Sequence, residues 1–363
     1  MPMQSDTEQR DTAEVPQTLP RHLLQPRRYP GRFSIVAPMH NEEAVLPLLR
    51  AELTRFLQTL TSDVEVILVN DGSTDGTLAL LATWAKEDNR VKILHLSRNF
   101  GHQIAATAGL DAASGDAVVL IDADLQDPLD VVHEMISRYM EGYDVAYGQR
   151  KSRVGESRFK LATAWAFYRI MRYLTDQHLP VDTGDFRLLS KQCLNSLRSM
   201  RETHRFLRGM VSWVGYPQIA VPYVRAERKA GYTKYPLQKM VKLAWNAATS
   251  FSNFPLRISF VLGCVFGIAA FEEATRAMLA FFLGWYTVPG WTSLMVVTSL
   301  LGSAILFSIS LLGEYIGKMY EQVKGRPLYL VARTFNFGAD DLPEECAFEM
   351  LSGKEEENGS TGV

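Results

Sequence analysis

The sequence predicts an α/β domain, a mostly parallel sheet with helices on both faces, followed by a C-terminal hairpin of two transmembrane helices. Apolar, β-branched runs alternate with helical segments of about ten residues in the first part of the chain, the pattern of parallel strands joined by crossover helices. Polar residues follow these runs directly, at the strand ends where such sheets bind ligands. Two long apolar segments near the C terminus predict the hairpin.

The predicted sheet is built from repeated strand–helix units. Strands begin at Phe33, Val64 and Val91, and a fourth carries Asp122 near its end. The helices are predicted over 42–50, over 77–86 and from about 102 to 113, with Asn41 as the candidate N-cap of the first. Since no G-x-G-x-x-G follows the first strand, the sequence argues against a dinucleotide cofactor.

Asp122 and Asp124 form the strongest candidate site. Side chains alternate between the faces of a strand, so these two carboxylates are expected to project to the same side. They repel each other unless a cation lies between them or one takes up a proton. Hard ions such as Mg²⁺ prefer oxygen ligands and substrate phosphates, and Gln126 offers a neutral oxygen. The alternative is a solvated acidic turn, but other polar residues at strand ends favour the metal site: Pro38, Asp71 and Arg98.

The membrane hairpin is predicted from 256–281 and 291–313. The second segment has no charged residue over about twenty-three positions, and about twenty suffice to cross a bilayer. The first contains Glu272, Glu273 and Arg276, which fall near its far interface. A buried soluble hairpin is the alternative. Lys and Arg flank the outer ends of the hairpin and are missing from its loop, so the positive-inside rule predicts both termini and the α/β domain in the cytoplasm.

The remaining segments are assigned by composition. Residues 1–31 are predicted to be a disordered extension, 32–235 the α/β domain, 236–255 a juxtamembrane amphipathic helix, and 314–363 a cytoplasmic segment with an acidic tail. The three cysteines form no C-x-x-C motif, consistent with a reducing compartment. A net charge of −2 argues against nucleic acid as a partner. Two basic clusters, at 150–172 and 225–234, lie between the acidic site and the bilayer, where an anionic headgroup would need them.

Six motifs occur in a fixed order along the chain. They are Ala37-Pro-Met-His-Asn-Glu-Glu43, Val69-Asn-Asp-Gly-Ser-Thr-Asp75, Leu96-Ser-Arg-Asn-Phe-Gly101, Ile121-Asp-Ala-Asp-Leu-Gln-Asp-Pro128, Glu141-Gly-Tyr-Asp-Val145 and Asp182-Thr-Gly-Asp-Phe-Arg187. Together they resemble a family 2 glycosyltransferase with the Rossmann-like GT-A fold. Within that family the chain is similar to polyprenyl-phosphate glycosyltransferases, the bactoprenol glucosyltransferase and dolichol-phosphate mannosyltransferase group. The resemblance covers about Arg32 to Leu330, and the charged cluster at 272–276 departs from it.

The resemblance implies roles for individual residues. The nucleotide-sugar pocket is implied at Pro38, Glu42, Asp71 and Asp122, although Glu42 could equally favour a helix N terminus. The metal ligands are implied to be Asp124 and Gln126, with Asp122 beside them. Asp185 stands where related enzymes with hydroxyl acceptors keep their base, so the catalytic set is Asp122, Asp124 and Asp185. The expected contacts of the acceptor phosphate come from the basic clusters: Arg150, Arg225 and Lys234.

The resemblance also implies a reaction. A hexose, with UDP-glucose as the first choice of donor, would pass with inversion to a polyprenyl phosphate such as undecaprenyl phosphate, with Mg²⁺ or Mn²⁺ as the cofactor. The product would be a lipid-linked sugar for modifying cell-envelope glycans. The protein would be a homo-oligomer with several spans in the bacterial plasma membrane. Two alternatives stay open: a polysaccharide synthase with a glycan acceptor, for which no Q-x-x-R-W motif is present, and an inactive membrane-anchored scaffold.

Overall fold

The computed structural model describes residues 24–150, 183–224 and 290–338, with scattered positions between 259 and 283. Eight strands form one sheet in the order β7-β5-β6-β4-β1-β2-β3-β8. The strands are β1 Arg32–Met39, β2 Asp63–Asn70, β3 Val91–Leu96, β4 Ala117–Leu120, β5 Val145–Arg150, β6 Thr183–Ser190, β7 Gln218–Tyr223 and β8 Val331–Phe335. The helices are α1 Leu46–Leu57, α2 Thr77–Glu87, α3 His102–Ala112, α4 Val131–Met140, α5 Lys191–Ser199, α6 Leu207–Val214 and α7 Trp291–Val323.

The centre of the sheet is parallel, as the alternation of strands and helices predicts. β4, β1, β2 and β3 pair in parallel, and β5 pairs in parallel with β7. β6 runs antiparallel between β4 and β5, and β8 runs antiparallel to β3. Along β1, Phe33 and Ile35 belong to one buried cluster and Val36 to a second. The strands are therefore covered on both faces, which explains their nearly continuous apolar sequences.

Two predicted boundaries at the site are wrong. α1 begins at Leu46, not at Glu42, and Asn41 does not cap it. Asn41 adopts φ 55, and its Oδ1 accepts a hydrogen bond of 2.8 Å from the Thr74 N–H. Asn tolerates this left-handed conformation better than most residues, and its side chain is engaged with the neighbouring loop. β4 ends at Leu120, so Asp122 and Asp124 lie in the following turn.

The α/β domain also extends beyond the predicted 32–235. Within the predicted disordered extension, Arg27 forms a 2.7 Å ion pair with the buried Asp144. At the other end, β8 lies in the predicted cytoplasmic segment and completes the sheet beside β3. Tyr329 precedes it and donates a 3.0 Å hydrogen bond to Asp111. Composition could not reveal these segments because their partners lie far away in the sequence.

α7 is a helix of 33 residues that contains the predicted second membrane span. Its stretch Leu300–Val323 is long and apolar enough to cross a membrane by length and composition. The helix continues past Gly313 through Glu314 and Lys318, whose i, i+4 spacing supports helix formation. The first predicted span, 256–281, is described only at scattered positions, most of them helical. The described residues do not include Arg225, Lys234, the predicted juxtamembrane helix, or residues 1–23 and 339–363.

Glu65 is a buried carboxylate that connects several segments of the sheet. Its Oε1 accepts hydrogen bonds from the Ser34 hydroxyl (2.6 Å) and the Ser114 N–H (2.7 Å), and its Oε2 lies 3.2 Å from Lys92 Nζ and 3.1 Å from Arg32. Burial alone would raise its pKa. The hydrogen bonds from Ser34 and Ser114 and the charge of Lys92 outweigh burial and hold the pKa below 4.5.

We expect Glu65→Gln to lower the free energy of unfolding by about 1–2 kcal/mol at pH 7. A carboxyl group with a lowered pKa stabilises the fold fully above its unfolded pKa, and this contribution is lost as the pH falls through its folded pKa. The difference from wild type should therefore narrow as the pH falls below 4.5. Denaturant unfolding of full-length wild type and Glu65→Gln in detergent, at several pH values, measures this difference in the free energy of unfolding. An equal difference at all pH values would contradict a role for the charge.

Candidate active site

The loops after β1 and β2 are fastened to each other and form one wall of the site. His40 Nδ1 lies 2.8 Å from the carbonyl oxygen of Asp71. The Asn41 N–H donates to the Ser73 hydroxyl at 2.9 Å, and the Glu42 N–H donates to the Thr77 hydroxyl at 3.0 Å. These contacts explain why the two loop motifs contain small hydroxyl and amide side chains. They hold the carboxyl ends of β1 and β2 in one arrangement.

Asp71 holds the loop after β3. Its two carboxylate oxygens accept hydrogen bonds from the backbone N–H groups of Phe100 (2.7 Å) and Gly101 (2.9 Å). The next residue, Gly72, has φ +59, and a Cβ there would lie 2.4 Å from the carbonyl carbon of Arg98. Only glycine permits so close an approach of the two backbones. Asp71, predicted as a nucleotide contact, therefore also sets the start of α3.

Two other predicted nucleotide contacts lie on the same edge of the sheet. Pro38 is buried in β1, opposite Val69 of β2. Glu42 is half-buried in the turn before α1, where its carbonyl oxygen accepts hydrogen bonds from Val45 and Leu46. The structure thus brings Pro38, Glu42 and Asp71 to adjoining strand ends. It does not place Glu42 at a helix N terminus, the alternative reading of this residue.

The predicted metal ligands lie in a tight turn after β4. Asp122, Asp124 and Gln126 are half-buried, and they alternate with the buried Ala123 and Leu125. Leu125 has φ 56, a left-handed conformation that is uncommon for a bulky residue, and its side chain packs in the core. The Gln126 N–H donates to Asp124 Oδ1 at 3.1 Å. An apolar anchor and a strained turn therefore present the polar side chains, and strain of this kind concentrates at functional sites.

Asp185 lies on β6 and is buried among hydrogen-bond donors. Its Oδ1 accepts from Arg208 Nε at 2.8 Å, its Oδ2 accepts from Gln103 Nε2 at 2.9 Å, and His102 Nε2 lies 3.3 Å away. Burial alone would raise the pKa of this carboxyl. The charge of Arg208 and the hydrogen bonds from His102 and Arg208 outweigh burial and hold the pKa far below its ordinary value. Asp185 is therefore ionised at neutral pH and a weak base.

His102 connects Asp185 to Asp122, whose Oδ1 lies 3.6 Å from His102 Nε2. The pKa of Asp122 is raised to about 6, first by burial and then by the carboxylates of Asp127, Asp185 and Asp124, against an opposing effect of His102. The side chain of Asp122 is still 26% exposed. Four carboxylates thus concentrate negative charge beside an open surface, a condition that a bound cation would relieve.

A divalent metal fits this donor set. Asp122, Asp124 and Gln126 offer only oxygen and amide groups, the chemistry that Mg²⁺ and Mn²⁺ favour. In the ranges that the structure describes, no group of three or more His, Cys, Asp and Glu side chains is placed to hold a metal ion by itself. Mg²⁺ commonly binds one or two carboxylates and completes its shell with water and substrate phosphates. The residues therefore fit a metal that binds together with a diphosphate.

Arg150 is the last residue of β5, which lies between β6 and β7 in the sheet. Its Nε lies 3.4 Å from the Tyr223 hydroxyl, which donates to the buried Asp127. A Cβ on Gly184 would lie 3.1 Å from an Arg150 guanidinium nitrogen. The guanidinium therefore lies beside Gly184, the residue that precedes Asp185 on β6. Of the three predicted acceptor residues, Arg150 is the one that the described part of the chain contains.

Sequence reasoning missed several residues of the site. His102 and Gln103 directly follow the Asn-Phe-Gly motif at a helix start, so their position after a strand end was an available signal. Arg187 belongs to the Asp182–Arg187 motif, and its guanidinium donates to the Gly184 carbonyl at 3.0 Å. Arg208 and Tyr223 carry no local signal, because only the packing of α6 and the pairing of β7 bring them to the site.

Known proteins resemble this chain in sequence and in structure. Residues 34–198 match the family model described as glycosyl transferase family 2. The uncharacterized glycosyltransferase YkcC of Bacillus subtilis is 43% identical over 84% of this chain and 94% of that protein. The prophage bactoprenol glucosyl transferase homolog of Escherichia coli is 38% identical over 83% of this chain and 99% of that protein. A mannosyltransferase from Pyrobaculum calidifontis, solved with GDP-Man and Mn²⁺, shares 18% identity and a TM-score of 0.40 over 79% of this chain and 89% of its own.

Proposed function

The chain belongs to glycosyl transferase family 2, and we propose that it transfers glucose from UDP-glucose to the phosphate of a polyprenyl lipid. The name of the Escherichia coli relative supports glucose and a bactoprenol acceptor. The state of Asp185 is the observation that carries the proposal. The carboxylate in the position of a base is ionised, hydrogen-bonded and paired with Arg208, while Arg150 lies nearby. This arrangement suits an acceptor that is already an anion.

The chemistry follows from the charges. The bond between the anomeric carbon and the nucleotide diphosphate breaks, and negative charge develops on the leaving diphosphate. A bound Mg²⁺ or Mn²⁺, held by Asp124, Gln126 and Asp122, would supply Lewis-acid stabilisation of that charge. The second ionisation of the acceptor phosphate has a pKa of about 6, so the phosphate is substantially a dianion at neutral pH. It attacks the anomeric carbon on the side opposite the leaving group, so the configuration inverts and no general base is needed.

The chain's own residues position the two substrates. We assign the nucleotide to the edge formed by Pro38, Glu42 and Asp71, where loop contacts hold the strand ends together. We assign the acceptor phosphate to Arg150, with Arg225 and Lys234 from the basic segment before the hairpin. Asp185 then serves to hold Arg208 and His102 in place and not to abstract a proton.

The test of this function uses purified full-length protein in detergent. The protein is incubated with undecaprenyl phosphate and a panel of nucleotide sugars, including UDP-glucose, UDP-galactose and GDP-mannose, and the lipid fraction is examined by mass spectrometry. We expect a lipid that has gained one hexose from UDP-glucose, with the Asp124→Asn protein as the negative control. Transfer to a growing glycan without lipid glucosylation would indicate a polysaccharide synthase, and no turnover with any donor would indicate a scaffold.

We also propose that α7 is the second span of a two-helix hairpin in the bacterial plasma membrane. We expect tags on both termini to be accessible only from the cytoplasm, because Lys and Arg flank the outer ends of the hairpin. A cysteine placed at Thr287 in the predicted external loop should be labelled from outside the cell. Labelling of either terminus from outside would contradict this orientation or the count of two spans.

A further inference from the structure

The cytoplasmic end of α7 is fastened to the loop that precedes α6. Gln322 Oε1 accepts hydrogen bonds from the Thr203 N–H (2.8 Å) and the Thr203 hydroxyl (2.9 Å), while Gln322 Nε2 donates to the Arg201 carbonyl (2.9 Å). The adjacent Glu321 lies 2.7 Å from His204 Nε2. The side-chain oxygen and nitrogen of Gln322 thus both form hydrogen bonds with the same loop. We call these contacts of Gln322 and Glu321 with residues 201–204 the helix latch.

The latched loop leads directly into the active site. It continues into α6, whose first N–H, from Leu207, donates to Gln103 Oε1 at 3.0 Å. The next residue, Arg208, donates to Asp185, and the other end of Gln103 donates to Asp185 as well. The start of α6 is therefore joined to the latch on one side and to the Asp185 carboxylate on the other.

The chain after α7 is held to the same part of the domain. The Ser97 N–H donates to the Leu330 carbonyl at 2.9 Å, where β8 joins β3. Asp111 accepts hydrogen bonds from Tyr329 (3.0 Å) and from Arg201 (2.7 Å). The loop that contacts Gln322 and the segment that follows α7 therefore meet at one buried carboxylate. The end of α7 is held by the domain both before and after the helix terminates.

We propose that Gln322 is a positioning residue that sets the height of the Asp185 site above the bilayer and so aligns it with the lipid phosphate. This inference rests on the proposed polyprenyl-phosphate acceptor. The depth of a lipid phosphate is set by the membrane, whereas a nucleotide sugar arrives from water. Only the acceptor half of the reaction therefore depends on how the domain is attached to its membrane helix. The latch joins the two at the side of the site where Arg208 holds Asp185.

The test compares Gln322→Met with Val323→Met in full-length protein in lipid nanodiscs. Val323 is 82% exposed on the same helix end and serves as the matched control. We expect Gln322→Met to lower kcat/KM for undecaprenyl phosphate about five- to tenfold, the effect of losing one or two net hydrogen bonds. The KM for UDP-glucose should not change. Gln322→Glu retains an acceptor for Thr203, so its kcat/KM for undecaprenyl phosphate should lie between those of Gln322→Met and Val323→Met.

A water-soluble, short-chain isoprenyl phosphate separates positioning from general support of the site. Transfer to this acceptor should match wild type in Gln322→Met if the latch sets height above the bilayer. An equal loss with the soluble acceptor, a raised KM for UDP-glucose, or no change with undecaprenyl phosphate would each overturn the inference. If the wild-type protein transfers glucose to neither phosphate, the proposed function itself fails, a result distinct from all of these.

Discussion

Replacing Asp124 by Asn should lower the rate of glucosyl transfer by at least about a thousandfold, or about 4 kcal/mol of transition-state stabilisation. The side chain is half-buried in the turn after β4. Removing its charge weakens the proposed site for a metal that would stabilise the leaving diphosphate. The fold should persist, because the Asn side-chain oxygen can still accept the 3.1 Å hydrogen bond from Gln126. Initial rates and unfolding midpoints of the two proteins measure both effects.

The matched control is Asp130→Asn, an exposed carboxylate near the end of the same segment, which should leave the rate unchanged. EDTA should abolish wild-type transfer, and Mg²⁺ or Mn²⁺ should restore it. Calorimetric titration with Mn²⁺ and UDP provides a readout without turnover, and Asp124→Asn should bind the pair much more weakly. Full transfer in the presence of chelator would overturn the metal assignment.

Neutralising Arg150 should raise the KM for polyprenyl phosphate roughly ten- to a hundredfold. A charge-assisted contact with phosphate contributes on the order of 1.5–3 kcal/mol, which corresponds to that range. The Arg150 guanidinium lies between Tyr223 and Gly184, the residue that precedes Asp185 on β6. Arg150→Gln should therefore weaken the binding of polyprenyl phosphate, while the KM for UDP-glucose stays near its wild-type value. Steady-state kinetics with each substrate varied in turn measure the two constants.

Arg138→Gln is the control, because Arg138 is an arginine of α4 that pairs with Glu134 and Glu141 at the surface. Arg150→Lys should retain part of the affinity, since it keeps the charge but loses the planar fork of donors. A rise in the UDP-glucose KM alone would assign Arg150 to the diphosphate. The same measurement on Lys234→Gln tests the basic segment that lies outside the described residues.

Much of the fold is readable from the sequence because its signals are local. The four parallel strands have apolar runs, since both faces of the sheet are covered. Asp122, Asp124 and Gln126 are identified by their position after such a run. In the structure these three half-buried residues alternate with buried Ala123 and Leu125 in a turn around Leu125, and not along a strand as predicted.

Boundaries at the site were harder to predict. The start of α1 was placed at Glu42 because Asn and Glu favour helix N termini. In the structure, Asn41 contacts the loop after β2 and the helix begins at Leu46. Local preference failed here because a hydrogen-bond partner more than thirty positions away in the sequence, at Thr74, was available to the Asn41 side chain.

The partners of Asp185 depend on tertiary structure alone. A motif marks Asp185 as a site residue, but its charge state depends on Arg208 from α6 and on His102 and Gln103 from α3. Likewise, β8 joins the sheet only because the chain returns from α7 to the free edge of β3. The sequence determines the order of ionisable groups and apolar runs along the chain. Distances between groups far apart along the chain arise from packing, and these distances set the pKa of Asp185 and join α7 to the site.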